Sequence, residues 1–295
     1  MKLMKNGLLV IGASGLVGSA ALKVGKEAYR ILGTYKNNPV SGLVKLDVTN
    51  KKQVMKLVND FKPRIILDAH GLNNVDYAEV HREEGWHINF DGSRNVAESA
   101  QSVGAKYIYI SSDYVFSGKK RLYNETDRPD PVNYLGRVKA AFEEFLEIMS
   151  MDYIVCRTSG IYGKSSSTGK KSFIQFIIDN LGRKAVTEVV ADQYTSPTLA
   201  NNLVEIILEL AENDKNGIYN VVGNDCITKF EFAMKISSEF GLDGSLLEPV
   251  TTDRISQVAK RPARVRMSTS KVKANVKIPL LGVKDGLRIV SEAIK

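Results

Sequence analysis

A short apolar run, Leu8 to Ile11, ends directly in Gly12-Ala13-Ser14-Gly15-Leu16-Val17-Gly18, and the residues that follow suit a helix through Val24. A strand that feeds a glycine-rich turn and then a helix is the first half of a βαβ unit, which commits the chain to a layered α/β fold. The turn has a chemistry of its own. Backbone N–H groups and the dipole at a helix N-terminus face an anion, and the absence of side chains lets a pyrophosphate approach the backbone. The spacing is G-x-x-G-x-x-G rather than the commoner G-x-G-x-x-G, so its weight comes from its position after the first strand.

The pattern then repeats. Tyr29–Tyr35 reads as a second strand and Leu43–Val48 as a third, with Asn50 and Gln53 as a capping pair opening a helix over 53–61. Arg64–Asp68 is nearly continuous apolar sequence, as a strand covered on both faces should be. Helices are expected over Ser93–Val103 and from Gly136 to Met149, and strands over Tyr107–Ile110 and Tyr153–Arg157. This alternation predicts a right-handed, doubly wound parallel sheet (a Rossmann fold) over residues 1–157.

Beyond Arg157 the pattern loosens. Helices over Phe173–Leu181 and Thr198–Ala211, strands near Val186–Val190 and Gly217–Val222, and a Thr228/Glu231 capping box before a helix reaching Phe240 predict a smaller mixed α/β region. Residues 158–295 are expected to be mainly a substrate-binding domain, with segments returning to the first. The stretch GKSSSTGKK resembles a P-loop superficially. It has five residues between its glycines and no Ser or Thr after the Gly-Lys pair, so it reads as a loop.

Composition excludes several classes. With 43% hydrophobic and 25% charged residues the chain is of soluble globular type. The N-terminal apolar run is too brief for a signal peptide or membrane span, which points to a cytoplasmic address. Cys156 and Cys226 have neither metal-ligand spacing nor a disulfide framework, and no metal is expected. The net charge of +8, concentrated locally at Lys260, Arg261, Arg264 and Arg266, comes without a nucleic-acid module and suits a phosphate-bearing small molecule.

Reactive side chains gather between Ser111 and Lys139. A Ser hydroxyl can hold a substrate oxygen, a Tyr phenol can pass it a proton, and a Lys ammonium lowers the phenol pKa. Tyr134 and Lys139 are five apart, which turns them about 140° from each other on a regular helix. The second strand ends Gly33-Thr34-Tyr35-Lys36-Asn37 with no acid for a ribose, so Lys36 is read as partner of a 2′-phosphate and NADP(H) is expected, with NAD(H) as the alternative.

Taken together, GASGLVG, LDVTN, GLNNVDYAE, SSDYVFSG, NYLGRVK, CRTSGIYG, ADQYTSPT, GIYNVVG and KRPARVRMSTSK resemble, in order and over nearly the whole chain, the extended short-chain dehydrogenase/reductases of the dTDP-4-dehydrorhamnose reductase family. The resemblance implies that Gly12, Gly15 and Gly18 hold the pyrophosphate, with Ser14, Leu16, Val17, Asp47 and Val48 as further cofactor contacts. It implies Ser112 as the catalytic hydroxyl, Lys139 on the nicotinamide ribose, and Asp113 and Arg261 on the substrate side. The family's catalytic Tyr precedes the Gly of its YGRSK-like segment, and that position here is Leu135. A shifted helix start could bring Tyr134 into play as proton donor; Tyr114, Tyr162 and Asp113 are the other candidates. Where relatives often carry a large residue after the CRTS-like segment, this chain has Gly160.

The expected function is NADPH-dependent reduction of a 4-keto group on a nucleotide-linked deoxysugar. The alternative is a non-catalytic NADP-binding regulatory subunit resembling the methionine adenosyltransferase beta subunit. The expected partner is a nucleotide-sugar small molecule, not nucleic acid or membrane, and a homodimer is left open.

Overall fold

The computed structural model describes residues 6–164 and 172–294. The first part contains β1 (Gly7–Ile11), α1 (Leu16–Gly25), β2 (Arg30–Tyr35), β3 (Val44–Lys45), α2 (Lys51–Phe61), β4 (Ile65–Asp68), α3 (Val75–Val80), α4 (Arg82–Trp86), α5 (Gly92–Ser102), β5 (Lys106–Ser112), α6 (Tyr134–Ile148) and β6 (Tyr153–Thr158). There follow β7 (Ile161–Tyr162), α7 (Phe173–Gly182), β8 (Thr187–Val190), β9 (Tyr194–Thr195), β10 (Thr198–Leu199), α8 (Ala200–Glu212), β11 (Gly217–Asn220), β12 (Ile227–Thr228), α9 (Lys229–Glu239), β13 (Leu247–Val250), α10 (Ser270–Lys273) and α11 (Val283–Ile294).

Seven parallel strands form the central sheet in the order β11-β6-β5-β4-β1-β2-β3. Every residue of β1 and β4 is buried, because helices cover both faces. On one face α1 packs against α8 over Leu8, Val10, Leu203 and Ile207; on the other, α2, α5 and α6 bury Leu9, Ile66, Val96 and Phe142. The chain winds outward from β1 in one direction to β3 and in the other through β4 to β6. The crevice between the C-terminal ends of β1 and β4 is therefore the switch point at which such sheets bind ligands.

β11 and α8 belong to this main sheet and its helical cover, although they follow residue 157 in the chain. A second core lies among α7, α9 and α11 against β8 and β13, with Ile177, Phe232, Ile236 and Leu287 at its centre. Among the described residues no helix is long and apolar enough to cross a membrane.

Three local expectations are corrected. The third strand is only Val44–Lys45, an exposed edge that pairs with β2 alone. Asn50 caps α2 as expected, but the helix starts at Lys51, and the Gln53 side chain accepts the Asp47 N–H at 3.5 Å. Helix α6 starts at Tyr134, two residues before Gly136, because Asn133 Oδ1 accepts the Gly136 N–H at 2.8 Å and its carbonyl accepts the Arg137 N–H at 3.1 Å. The Thr228/Glu231 capping box is present at α9. Residues 165–171, most of the GKSSSTGKK stretch, lie outside the described residues.

Candidate functional site

A cleft of about 800 Å³ runs along the C-terminal ends of β1, β4 and β5 and continues to Gln193, Lys229 and Arg261 of the second region. Its first wall is the β1–α1 turn. Gly12 adopts φ +75, and an added Cβ would lie 2.8 Å from the His70 backbone; a Cβ on Gly18 would lie 2.3 Å from the Gly12 carbonyl oxygen. Gly15 caps α1 with no side-chain hydrogen bond, so the first-turn N–H groups look into the cleft, where Ser14, Gly15, Leu16 and Val17 form the lining. The turn is thus a backbone cradle shaped for a phosphate group, and a dinucleotide fits it.

Beyond the turn, Lys36, Asn37 and Asn38 line the cleft with Leu46 and Val48. Lys36 Nζ lies 3.2 Å from Asp47 Oδ1. Burial works against the ionised form of Asp47, but the Thr49 hydroxyl and N–H and the Lys36 ammonium hold its carboxyl below the usual value. The two side chains are thus paired at this end of the cleft, with the lysine reaching the lining and the aspartate behind it.

The opposite wall is β5, the turn after it and α6. Its two serines divide the work. Ser111 Oγ donates at 2.5 Å to Glu143, itself paired at 2.6 Å with buried Arg157, so this serine is tied into the support beneath the site. Ser111 and Ser112 both line the cleft, and only Ser112 is clear of the Glu143–Arg157 pair. Lys139 also lines it, donating to the Ile110 carbonyl at 2.9 Å with its ammonium over the Tyr109 ring. Burial lowers its pKa to about 8, against the pull of Asp68 and Glu143.

Four residues before Lys139 on the same helix face stands Leu135, 3% exposed and packed with Val75, Ala78 and Ala259. Tyr134 points elsewhere: it is not among the described residues lining the cleft, its N–H donates to Glu79 at 2.8 Å, and Arg82 lies 5.4 Å over its ring. The first turn of α6 is regular, with no extra residue to rotate Tyr134 toward Lys139. Gly136 fixes this register, since a Cβ there would lie 2.0 Å from the Tyr114 carbonyl oxygen.

The far wall is polar. Asp113, Tyr114 and Arg261 line it, and Arg261 grips Asp76 of α3 with two hydrogen bonds, at 2.5 and 2.7 Å. That guanidinium outweighs partial burial, which pushes the other way, and holds the Asp76 carboxyl down at about 2. Gly160 has φ +53, and a Cβ there would lie 2.4 Å from Thr195 Oγ1, so neither its conformation nor its surroundings admit a large side chain.

Sequence reasoning missed His70, Ser159, Gln193 and Lys229, all in the lining. His70 follows β4 directly, a position that could have marked it. Its Nδ1 faces buried Asp68 and its Nε2 the Ile88 carbonyl at 3.0 Å, an arrangement of two acceptors that favours the protonated ring. Burial pushes its pKa down, but Asp68 prevails and holds it above the ordinary value. Lys229 Nζ donates to Gln193 at 2.6 Å across the second region, a contact that no local pattern signals.

The RmlD substrate binding domain family matches residues 4–294. A dTDP-4-dehydrorhamnose reductase of Aggregatibacter actinomycetemcomitans is 30% identical over 279 residues, 90% of this chain and 91% of that protein. Methionine adenosyltransferase 2 subunit beta of Xenopus tropicalis is 29% identical over 271 residues, 90% and 80% of the two chains. The crystal structure of dTDP-4-dehydrorhamnose reductase from Bacillus anthracis in complex with NADP superposes with a TM-score of 0.90 at 32% identity, covering 98% of this chain and 100% of that one.

Proposed function

The chain belongs to the RmlD substrate binding domain family, and from that premise we propose that it reduces a 4-keto group on a nucleotide-linked deoxysugar with NADPH, as a dTDP-4-dehydrorhamnose reductase does. The observation that carries this reading is the single cleft shared by the glycine turn, Ser112, Lys139 and the polar far wall. The NADP complex of the Bacillus anthracis relative supports the choice of cofactor.

When bound, NADPH supplies the hydride. The residues of the chain do the rest. Gly12, Gly15 and Gly18 open the backbone to the pyrophosphate, with Ser14, Leu16 and Val17 around it. Lys36 meets the 2′-phosphate by charge, while Asp47 and Val48 bound the adenosine end. Lys139 holds the nicotinamide ribose and adds positive potential beside the reacting carbonyl. Ser112 orients the carbonyl oxygen. Asp113 and Arg261 flank the sugar nucleotide, and Arg261 needs only to share its bond with Asp76 to meet a phosphate.

A second reading has its own observation. Leu135 presents a methyl-tipped wall at the position where the family resemblance implies a phenol, which favours an NADP-binding regulatory subunit over a catalyst. The similarity to methionine adenosyltransferase 2 subunit beta supports that reading.

NADPH oxidation with dTDP-4-dehydrorhamnose separates the two. Turnover by the wild type, unchanged in Tyr134→Phe, supports the reductase reading and removes Tyr134 from the chemistry. A wild type that binds NADPH but gives no turnover, with activity appearing in Leu135→Tyr, refutes it in favour of the regulatory subunit.

A further inference from the structure

Between Leu135 and the far wall, a file of hydroxyls surrounds one half-buried carboxyl. Ser112 Oγ accepts the Tyr114 N–H at 3.2 Å and donates to Asp113 Oδ1 at 3.0 Å. On the other side, Ser159 Oγ donates to Asp113 Oδ2 at 2.5 Å and lies 3.1 Å from Thr195 Oγ1. Ser112, Asp113, Ser159 and Thr195 all line the cleft, so a continuous path runs from Thr195 through Ser159 and Asp113 to Ser112.

Burial pushes the Asp113 carboxyl above its usual range, although Ser159, Ser112 and the Lys229 ammonium act against this. The other titratable or charged groups on the surrounding elements include Tyr114 of the same turn, Lys139 of α6, His70 after β4, Tyr194 of β9, and Arg261 with its partner Asp76. The phenols are poorer sources. Burial pushes Tyr114 up to about 12, and Tyr162 lies against Gly286 of α11, away from the lining.

We propose that, with leucine at 135, the proton for the reduced carbonyl oxygen comes from Asp113 through the Ser112 hydroxyl. This rests on the reductase reading. The carbonyl carbon gains a hydride from a reduced nicotinamide, which is thereby oxidised, and the C=O π pair moves to oxygen. That oxygen takes the Ser112 proton, and Ser112 takes the Asp113 carboxyl proton as their hydrogen bond reverses direction. Asp113 is left ionised, and solvent reprotonates it by way of Thr195 and Ser159.

Asp113→Asn keeps the shape of the side chain but has no acidic proton to give. Infrared difference titration of the protein without cofactor should show a protonated carboxyl persisting above the usual aspartate range and missing in this variant. Single-turnover reduction of dTDP-4-dehydrorhamnose by NADPH should slow as pH rises through the Asp113 pKa. Asp113→Asn should lose that limb and roughly 10²- to 10⁴-fold in rate, with NADPH affinity unchanged and Asp113→Glu recovering part of the loss. In a Leu135→Tyr background the same change should cost far less. An Asp113→Asn protein with the wild-type rate and pH limb, or a wild type without the infrared band, overturns the proposal while leaving the reductase reading intact. The band with no turnover in the wild type overturns both.

Discussion

At the β1–α1 turn the cleft is made of backbone, whereas at the start of α6 its reactivity hangs on one side chain. Gly12 and Gly18 leave no volume for a Cβ, so the cradle cannot change without moving the main chain. On α6 the scaffold is equally rigid, with Asn133 capping the helix and Gly136 pressed on the Tyr114 carbonyl, yet position 135 faces the cleft and accepts a leucine. Binding is thus written into the chain's path, and proton donation into its choice of substituent.

The largest effect should come from breaking the backbone wall. Gly18→Val drives atoms into the Gly12 carbonyl, and overpacking of this kind costs about 1–3 kcal/mol. NADPH binding should fall by more than roughly 100-fold, about 2.7 kcal/mol, measured by fluorescence titration beside a urea unfolding curve. Leu135→Tyr is the matching test on the other wall: its NADPH affinity should stay at the wild-type value while its turnover changes. An equal loss of affinity in both variants would falsify the contrast.

Lys36→Ala sharpens the first wall. A charge-assisted hydrogen bond contributes about 1.5–3 kcal/mol, so NADPH affinity should fall at least roughly 10-fold while NADH affinity stays the same. Equal losses for both cofactors would remove Lys36 from the 2′-phosphate.

The smallest effect is an acid limb in stability. Asp76 titrates near 2 in the folded chain against 3.8 ordinarily, a lowered value, so its contribution is full above 3.8 and fades as pH falls toward 2. Asp76→Asn should flatten urea stability across that window, with a modest loss at neutral pH that vanishes as pH falls toward 2. Because Asp76 is partly exposed, solvent screening keeps the effect modest.

What was legible in the sequence follows the same division. The β1–α1 turn could be read because glycine spacing reports backbone geometry directly. The sheet could be read because apolar runs report double coverage. The start of α6 was read two residues late, since the cap is supplied by Asn133, which sits behind Pro131 and the polar run of 124–130. That lateness matters, because a regular first turn sends Tyr134 toward Arg82 and leaves Leu135 above Lys139. His70, Ser159, Gln193 and Lys229 come from four separated segments and meet only when the second region closes over the sheet, so no local period could announce them.

The lock at Gly136 has one more consequence. Because the register of α6 cannot slip, residue 135 is an interchangeable fitting in a fixed socket: a single codon there adds or removes a phenol without moving the glycine turn on the other wall. Holding a redox cofactor and using it are, in this architecture, separately heritable traits.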